Sequence, residues 1–263
     1  MNNYLKITDD RFAAERTDLY DLHLEIQFSH FRFMVKSGEQ PLWLEDHFLG
    51  YSNNITTCLA KCAALLEQHP FLRTALWKRV KLASALQIHT LVPTPVFDAA
   101  KAATYLELTY PAALPADFEI SFEPVLNQQV ITGCLQEINR FFREYYPDLT
   151  PLSIVAEGAK YLHPLSPDLT FGLISDSFID LIYRKGKNQD LTTEKILTRN
   201  LNDIIAPTST LVLFGEITPF STRFKLLEEK FKTVIPGTPA AAEEWTGNFR
   251  NIPAHRYFTL LHG

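Results

Sequence analysis

Two stretches of alternating apolar and polar residues, each folded back on itself by a short polar turn, constrain this chain more than any other feature. In the first, Leu22, Leu24, Ile26 and Phe28 alternate with His23, Glu25 and Gln27. The chain turns near Ser29-His30, and Phe31, Phe33 and Val35 then alternate with Arg32, Met34 and Lys36. A period of two sends successive side chains to opposite faces, so each run predicts a half-buried strand and each pair of runs a hairpin. The layout returns from Leu169, where Leu169, Phe171 and Leu173 share a face before a turn at Asp176-Ser177 and a second strand over Phe178 to Arg184. A third short strand and an amphipathic helix follow in both places. The pattern predicts a duplicated β-meander-plus-helix unit.

With 263 residues, 46% hydrophobic and 21% charged, the chain can bury a substantial core as one large domain or two ordinary ones. The 25 basic residues face 30 acidic ones, a net charge of -5 with no long basic run, which disfavours nucleic acid and anionic membrane surfaces as partners. Cys58, Cys62 and Cys134 have no framework spacing; Cys58 and Cys62 lie four apart on an expected helix and read as small core residues. Met1 to Tyr20 is charged throughout and does not read as a signal peptide, and no run approaches the ~18 apolar residues of a membrane span. A reducing, cytoplasmic location is the expectation.

Beyond the first meander, which ends with Leu42 to Phe48, the stripe Ile55, Leu59, Cys62, Ala63 and Leu66 predicts a helix capped by Asn53 or Asn54 and stopped by Pro70. Strands are expected over Val80 to Ala85, Phe118 to Phe122 and Val130 to Thr132. Helices are expected over Val96 to Leu106, from Leu135 to Pro147 and near Ala156 to Leu162. Pro164 and Pro167 precede the second hairpin, which places a domain boundary there: residues 1–162 as a first subdomain and 163–263 as a second. After the second meander, Leu197, Leu201, Ile204 and Ile205 predict a helix starting near Thr192 or Thr193. Thr210 to Phe214 then predicts a buried strand running into Gly215-Glu216-Ile217-Thr218-Pro219. Thr218 is the expected cap of a last helix, with Phe220, Phe224, Leu227 and Phe231 on its buried face. Strand, glycine turn, capped helix is the kind of place where α/β proteins bind ligands.

This layout resembles the actin-like ATPase fold of actin, sugar kinases and Hsp70-type chaperones. More narrowly, the chain resembles an uncharacterised bacterial family with that fold. The residues that carry the likeness are Leu22-His23-Leu24-Glu25-Ile26, His89-Thr90-Leu91-Val92-Pro93 with Phe97-Asp98, Phe214-Gly215-Glu216-Ile217-Thr218, and Ile252-Pro253-Ala254-His255-Arg256-Tyr257. The resemblance implies an α/β fold of two subdomains around a cleft, with the C-terminal segment packing back near the hinge. Active members of that superfamily carry an aspartate followed by glycine at the first turn of each meander. Here the first turn reads Glu25-Ile26-Gln27-Phe28-Ser29-His30 and the second Ser175-Asp176-Ser177-Phe178, neither with a glycine, and a side chain there obstructs phosphates. Gly215 matches the first of two glycines on the adenosine side, but Glu216 stands at the second. A carboxylate ~4 Å from a phosphate costs on the order of 4 kcal/mol at an effective dielectric near 20.

The resemblance thus gives Gly215, Glu216, Ser175 and Asp176 as a vestigial nucleotide cleft, with no catalytic or metal-ligating residue and no cofactor beyond weak ATP or nucleoside. The eight histidines show no paired ligand spacing. Glu45-Asp46-His47 reads as a solvated strand edge, and Trp43 and Trp245 as candidates for an exposed contact surface. Three functions stay open. The first is a non-catalytic adaptor that holds a protein partner, with a homodimer also open. The others are an ATP- or nucleoside-binding switch acting through Gly215 and Asp176, and an enzyme using the cleft for unrelated chemistry.

Overall fold

A computed structural model of the chain describes residues 4–73, 76–112, 115–186, 190–204, 209–218, 220–239, 245 and 247–262. It divides into two units, each assembled from separated stretches: Met1–Ala85, Glu137–Leu152 and Thr238–Gly263 in the first, Leu86–Gln136 and Ser153–Gly237 in the second. The boundary expected at 162/163 falls inside the second unit. Residues 86–136 are inserted within the first unit's sequence, and the C-terminal stretch returns to it.

The first unit is built on a six-stranded sheet in the order β1-β4-β3-β2-β5-β9. Its strands are β1 (Tyr4–Thr8), β2 (Asp21–Ile26), β3 (His30–Ser37), β4 (Gln40–Phe48), β5 (Arg79–Ser84) and β9 (Thr150–Leu152). β2, β3 and β4 form the antiparallel meander read from the sequence, and β5 and β9 add to it in parallel. α1 (Ile55–Gln68) is capped by Asn54, whose side chain accepts from the Thr57 N–H at 3.1 Å, and it buries Cys58, Leu59, Cys62 and Leu66. One face of the meander, Leu22, Leu24, Ile26, Phe31, Phe33 and Val35, is fully apolar and buried.

The other face was expected in solvent and is not. All of β2 is buried, including Asp21, His23 and Glu25, and so are Arg32 and Lys36 on β3. The covering layer is the C-terminal stretch, where Trp245, Phe249, Tyr257, Leu260 and Leu261 pack on Met34 and Leu44. α6 (Phe258–Leu261) lies along β2. Trp245 is therefore a core residue, 5% exposed, and not a contact surface. Trp43 is half-buried among Phe12, Phe71 and His69.

The second unit repeats the meander in a five-stranded sheet, order β12-β11-β10-β13-β14. The strands are β10 (Leu169–Ile174), β11 (Phe178–Lys185), β12 (Asp190–Leu197), β13 (Thr210–Gly215) and β14 (Thr233–Pro236), with β13 and β14 parallel to β10. The order and directions match β4-β3-β2-β5-β9, so the duplication is real. α4 (Ile154–Leu162), capped by Ser153, packs on β10 and β11. A separate three-stranded sheet, β6-β8-β7, comprises β6 (Ile88–Pro93), β7 (Phe118–Val125) and β8 (Gln128–Leu135), with α2 (Ala102–Thr109) against it. α3 (Gln136–Tyr145) follows β8.

Three local expectations are corrected. The helix near Thr192 is the strand β12, whose β-branched residues pair with β11 in unbroken register from Phe178↔Leu197 to Lys185↔Asp190. Only a short 3-10 stretch, Thr198–Asp203, remains to bury Leu201; Ile205 lies outside the described residues. The helix over Val96 to Leu106 begins as two 3-10 turns and becomes α-helical only at Ala102. The helix expected after Thr218, α5 (Thr222–Lys230), is capped by Ser221 and not Thr218, and Phe220 stands before it, 85% exposed; Pro219 lies outside the described residues. Leu227 and Phe231 do face the core, with Phe224 against them.

Candidate functional site

In the second unit the four residues singled out from the sequence meet at the carboxyl ends of the parallel pair β10 and β13. Ile174 is in register with Gly215, and the Glu216 N–H donates to the Ile174 carbonyl at 2.9 Å. The turn that follows β10 starts at Ser175, so Ser175 and Asp176 are carried beside Gly215 and Glu216. Gly215 has φ +90°, and a Cβ there would stand 2.0 Å from the Ile174 oxygen. Close packing of two parallel strands accounts for this glycine without a phosphate. Ser175 is committed to its own hairpin: its N–H donates to the Phe178 carbonyl at 2.8 Å, and its hydroxyl accepts from the Phe178 N–H at 3.2 Å. The Asp176 carbonyl accepts from the Thr198 hydroxyl at 3.2 Å.

The first unit builds the same turn with other residues. The Gln27 N–H donates to His30 O at 2.9 Å, the Leu49 N–H to Ser29 O at 2.7 Å, and the Ala85 N–H to Ile26 O at 3.1 Å. These match Ser175 N–H to Phe178 O, Thr198 N–H to Ser177 O and Glu216 N–H to Ile174 O.

Next to this first turn lies a buried ion cluster that the sequence reading missed. Glu25, Arg32 and Asp46 sit directly opposite one another on β2, β3 and β4. Arg32, wholly buried, donates to Glu25 at 2.9 Å and places its Nε 3.0 Å from Asp46. The C-terminal stretch adds Arg256, 3.0 Å from Asp46, the Tyr257 hydroxyl to Asp46 and the Thr259 hydroxyl to Glu25. His30 Nδ1 is 2.9 Å from the other Asp46 oxygen. Burial pushes the Asp46 carboxyl up, but His30, Arg32 and Arg256 outweigh it and hold the group well below the usual carboxylate range. Two carboxylates and two guanidinium groups balance, so the four together carry no net charge.

Glu45-Asp46-His47 is not a solvated edge either. β1 pairs with β4 outside it, so both acids are buried. Asp46 faces the arginines, while Glu45 turns to the opposite face, where His47 Nε2 lies at 2.8 Å, His69 Nε2 at 3.4 Å and Lys6 Nζ at 3.6 Å. Burial pushes the Glu45 pKa up, but the hydrogen bonds to His47 and His69 outweigh it and lower it to about 2.

Two histidines are buried as neutral groups. His23, beside the C-terminal stretch, is pushed down to about 3 by burial and by Lys36. In the second unit His89 is pushed to about 4 by burial; its Nε2 lies 2.8 Å from the Thr193 hydroxyl, next to the buried pair Asp180 and Lys195 at 2.9 Å. A base whose folded pKa lies below its unfolded value contributes stability above the unfolded pKa, and that stability is lost as pH falls toward the folded one. Stability should therefore drop below pH ~6.5, by about 1 kcal/mol per histidine at pH ~5.5, and fall further below pH ~4.5 as Glu45 and Asp46 are protonated on unfolding. Urea unfolding across this range measures the slope, and a flat profile down to pH ~5 would contradict neutral burial of the two histidines.

Comparisons with known proteins agree with this architecture. A family described as "Protein of unknown function (DUF3822)" matches residues 9–168. No curated protein matches the sequence. Among solved structures, a Bacteroides thetaiotaomicron protein with actin-like ATPase fold and unknown function is similar at 16% identity, with 94% of this chain and 96% of that one covered and a TM-score of 0.68. The PilM-PilN type IV pilus biogenesis complex contains a chain similar at 15% identity, with 92% and 96% covered and a TM-score of 0.58. The fold is the actin-like ATPase fold.

Proposed function

We propose that this chain, which belongs to the DUF3822 family, is a non-catalytic adaptor that uses the actin-like fold to hold a protein partner. One observation carries the reading: at the first meander turn, Glu25 and Asp46 are already neutralised by Arg32 and Arg256 and covered by the chain's own C-terminal stretch. The second turn supports it, because Ser175 is spent on its hairpin and Gly215 on strand packing. A protein of the same fold has been solved as a complex, PilM with PilN. Three buried, unbridged cysteines fit a reducing compartment, and among the described residues no helix is long and apolar enough to cross a membrane.

A second reading, a nucleoside-binding switch, is favoured by the adjacency of Ser175, Asp176, Gly215 and Glu216 at the ends of parallel strands. Thermal unfolding with ATP, ADP and adenosine, with and without magnesium, separates the two, alongside a phosphate-release assay. A ligand at 100 times its dissociation constant adds about 2.7 kcal/mol of stability. The adaptor reading expects no shift and no phosphate release. A magnesium-dependent ATP shift establishes the switch, and stoichiometric turnover overturns the adaptor.

A further inference from the structure

The three-stranded sheet of the second unit carries an apolar margin that nothing above explains. Phe97 packs on Phe122 with ring centroids 5.0 Å apart, Val96 beside it is 64% exposed, and Phe122 is 46% exposed. The turn between β7 and β8, Leu126-Asn127, is tied to the same margin by the Thr94 N–H, which donates to Asn127 O at 2.8 Å. Leu126 is 48% exposed at φ +57°. A two-residue hairpin turn with positive φ at its first position takes glycine by preference. Leucine there costs about 1 kcal/mol and gains little burial in return, the mark of a residue kept for something other than stability.

β7 is also an edge: among the described residues no strand pairs with its outer side. Phe118, Ile120 and Phe122 lie on the face shared with Phe97, and Glu119, Ser121 and Glu123 on the other. Pro124 offers no N–H, so the edge available for pairing is Phe118 to Glu123. Charge identifies what fits. Residues 86–136 hold one basic residue, Lys101, against Asp98, Glu107, Asp117, Glu119 and Glu123, so this stretch carries a net charge of -4 in a chain whose total is -5. Lys160 on α4 meets Glu123 at 2.9 Å, and counting it with the stretch still leaves a net charge of -3.

We propose that the outer edge of β7 takes up an extended segment of a protein partner in which apolar and basic residues alternate. The segment pairs its backbone with Phe118 to Glu123, lays its apolar side chains over Ile120, Phe122 and Phe97, and turns its Lys or Arg side chains toward Glu119 and Glu123. A second copy of this chain is the wrong occupant: antiparallel pairing of two β7 strands about Ser121 would set Glu119 opposite Glu123 of the other copy, like charges across the ladder. The proposal rests on the adaptor reading for its premise that the partner is a protein.

The probe is a blocked synthetic peptide of about ten residues alternating Lys and Val, with a twin carrying Glu for every Lys, each titrated into the full chain by NMR. The Lys peptide should saturate, shift the amides of β7 and residues 94–98, and bind at least about tenfold more tightly than its twin. Phe122→Asp and Val96→Asp, both at exposed positions, should each weaken it about tenfold. Leu126→Gly should weaken it while raising the melting temperature, a split that simple loss of fold does not produce. Equal binding of the twins, no binding, or shifts away from β7 overturns the proposal, as does a dimer of the chain alone that Phe122→Asp dissolves. Failure of the peptide without nucleotide turnover removes this surface and leaves the adaptor standing; nucleotide turnover removes the adaptor whatever the peptide does.

Discussion

Arg32→Ala should destabilise the first unit by about 3–5 kcal/mol, the range for removing one partner from a buried ion pair. The side chain is wholly buried between Glu25 and Asp46, and its loss opens a cavity beside Glu25 and removes the guanidinium that pairs with it. Arg256 still neutralises Asp46 from the C-terminal stretch, but among the described residues Glu25 keeps the Thr259 hydroxyl and the Gln27 amide, neither of them a cation. Because the cluster is out of solvent, added salt should not reproduce the effect. Replacing the pair together, Glu25→Gln with Arg32→Met, should cost less than Arg32→Ala alone, since Glu25 no longer carries a charge and Asp46 keeps Arg256. Urea denaturation of the two variants decides it. A loss below about 1 kcal/mol for Arg32→Ala would mean that the cluster is open to water.

The two hairpins were legible because a strand's period of two survives in the sequence regardless of what the strand packs against. Leu22, Leu24 and Ile26 on one side of a polar turn and Phe31, Phe33 and Val35 on the other fix the register, and the structure keeps it. The fate of the polar face was not legible. His23, Glu25, Arg32 and Lys36 look like a solvated face until a stretch more than two hundred positions away covers them, as when Lys36 donates to Leu261 O at 2.9 Å. A signal for the cluster was nonetheless present. Glu25 and Arg32 lie at mirrored positions about the turn, and pairing the hairpin residue by residue puts opposite charges face to face. Asp46 joins only once the next turn is counted, and Arg256 is invisible to local reasoning. β1 was missed for a similar reason: five residues at a charged N-terminus show too little alternation to stand out, yet their pairing with β4 turns an edge into an interior.

The candidate site was half legible. The order strand, glycine, loop correctly put Gly215 and Glu216 at a strand end, and the second hairpin put Ser175 and Asp176 at another. What brings the two ends together is the parallel pairing of β10 with β13, which follows from the duplication and from no local motif. The helix expected near Thr192 failed because Leu197, Leu201 and Ile204 also suit a strand followed by a tight turn. Pairing with β11 settled the matter where periodicity alone could not.

Gly215→Val should lower stability by at least about 3 kcal/mol and leave too little folded protein for any binding role to be tested in that variant. The φ of +90° is already costly for any side chain, and a Cβ would stand 2.0 Å from the Ile174 oxygen, the atom that accepts from the Glu216 N–H. Relief requires β10 and β13 to separate at the end of a buried parallel pair, which breaks that bond. Gly38→Ala provides the control. Gly38 has φ +60° in an open turn with nothing within 4 Å, so its replacement carries the backbone strain alone, about 1 kcal/mol. The difference between the two variants isolates the steric contact between the strands. If Gly215 were instead kept free for the approach of a phosphate, the smaller Gly215→Ala would fold with a stability close to that of Gly38→Ala and would lose only nucleotide binding. A large gap in stability between these two alanine variants, with nucleotide absent throughout, identifies the glycine as a requirement of strand packing and removes the strongest sequence motif for a working nucleotide site.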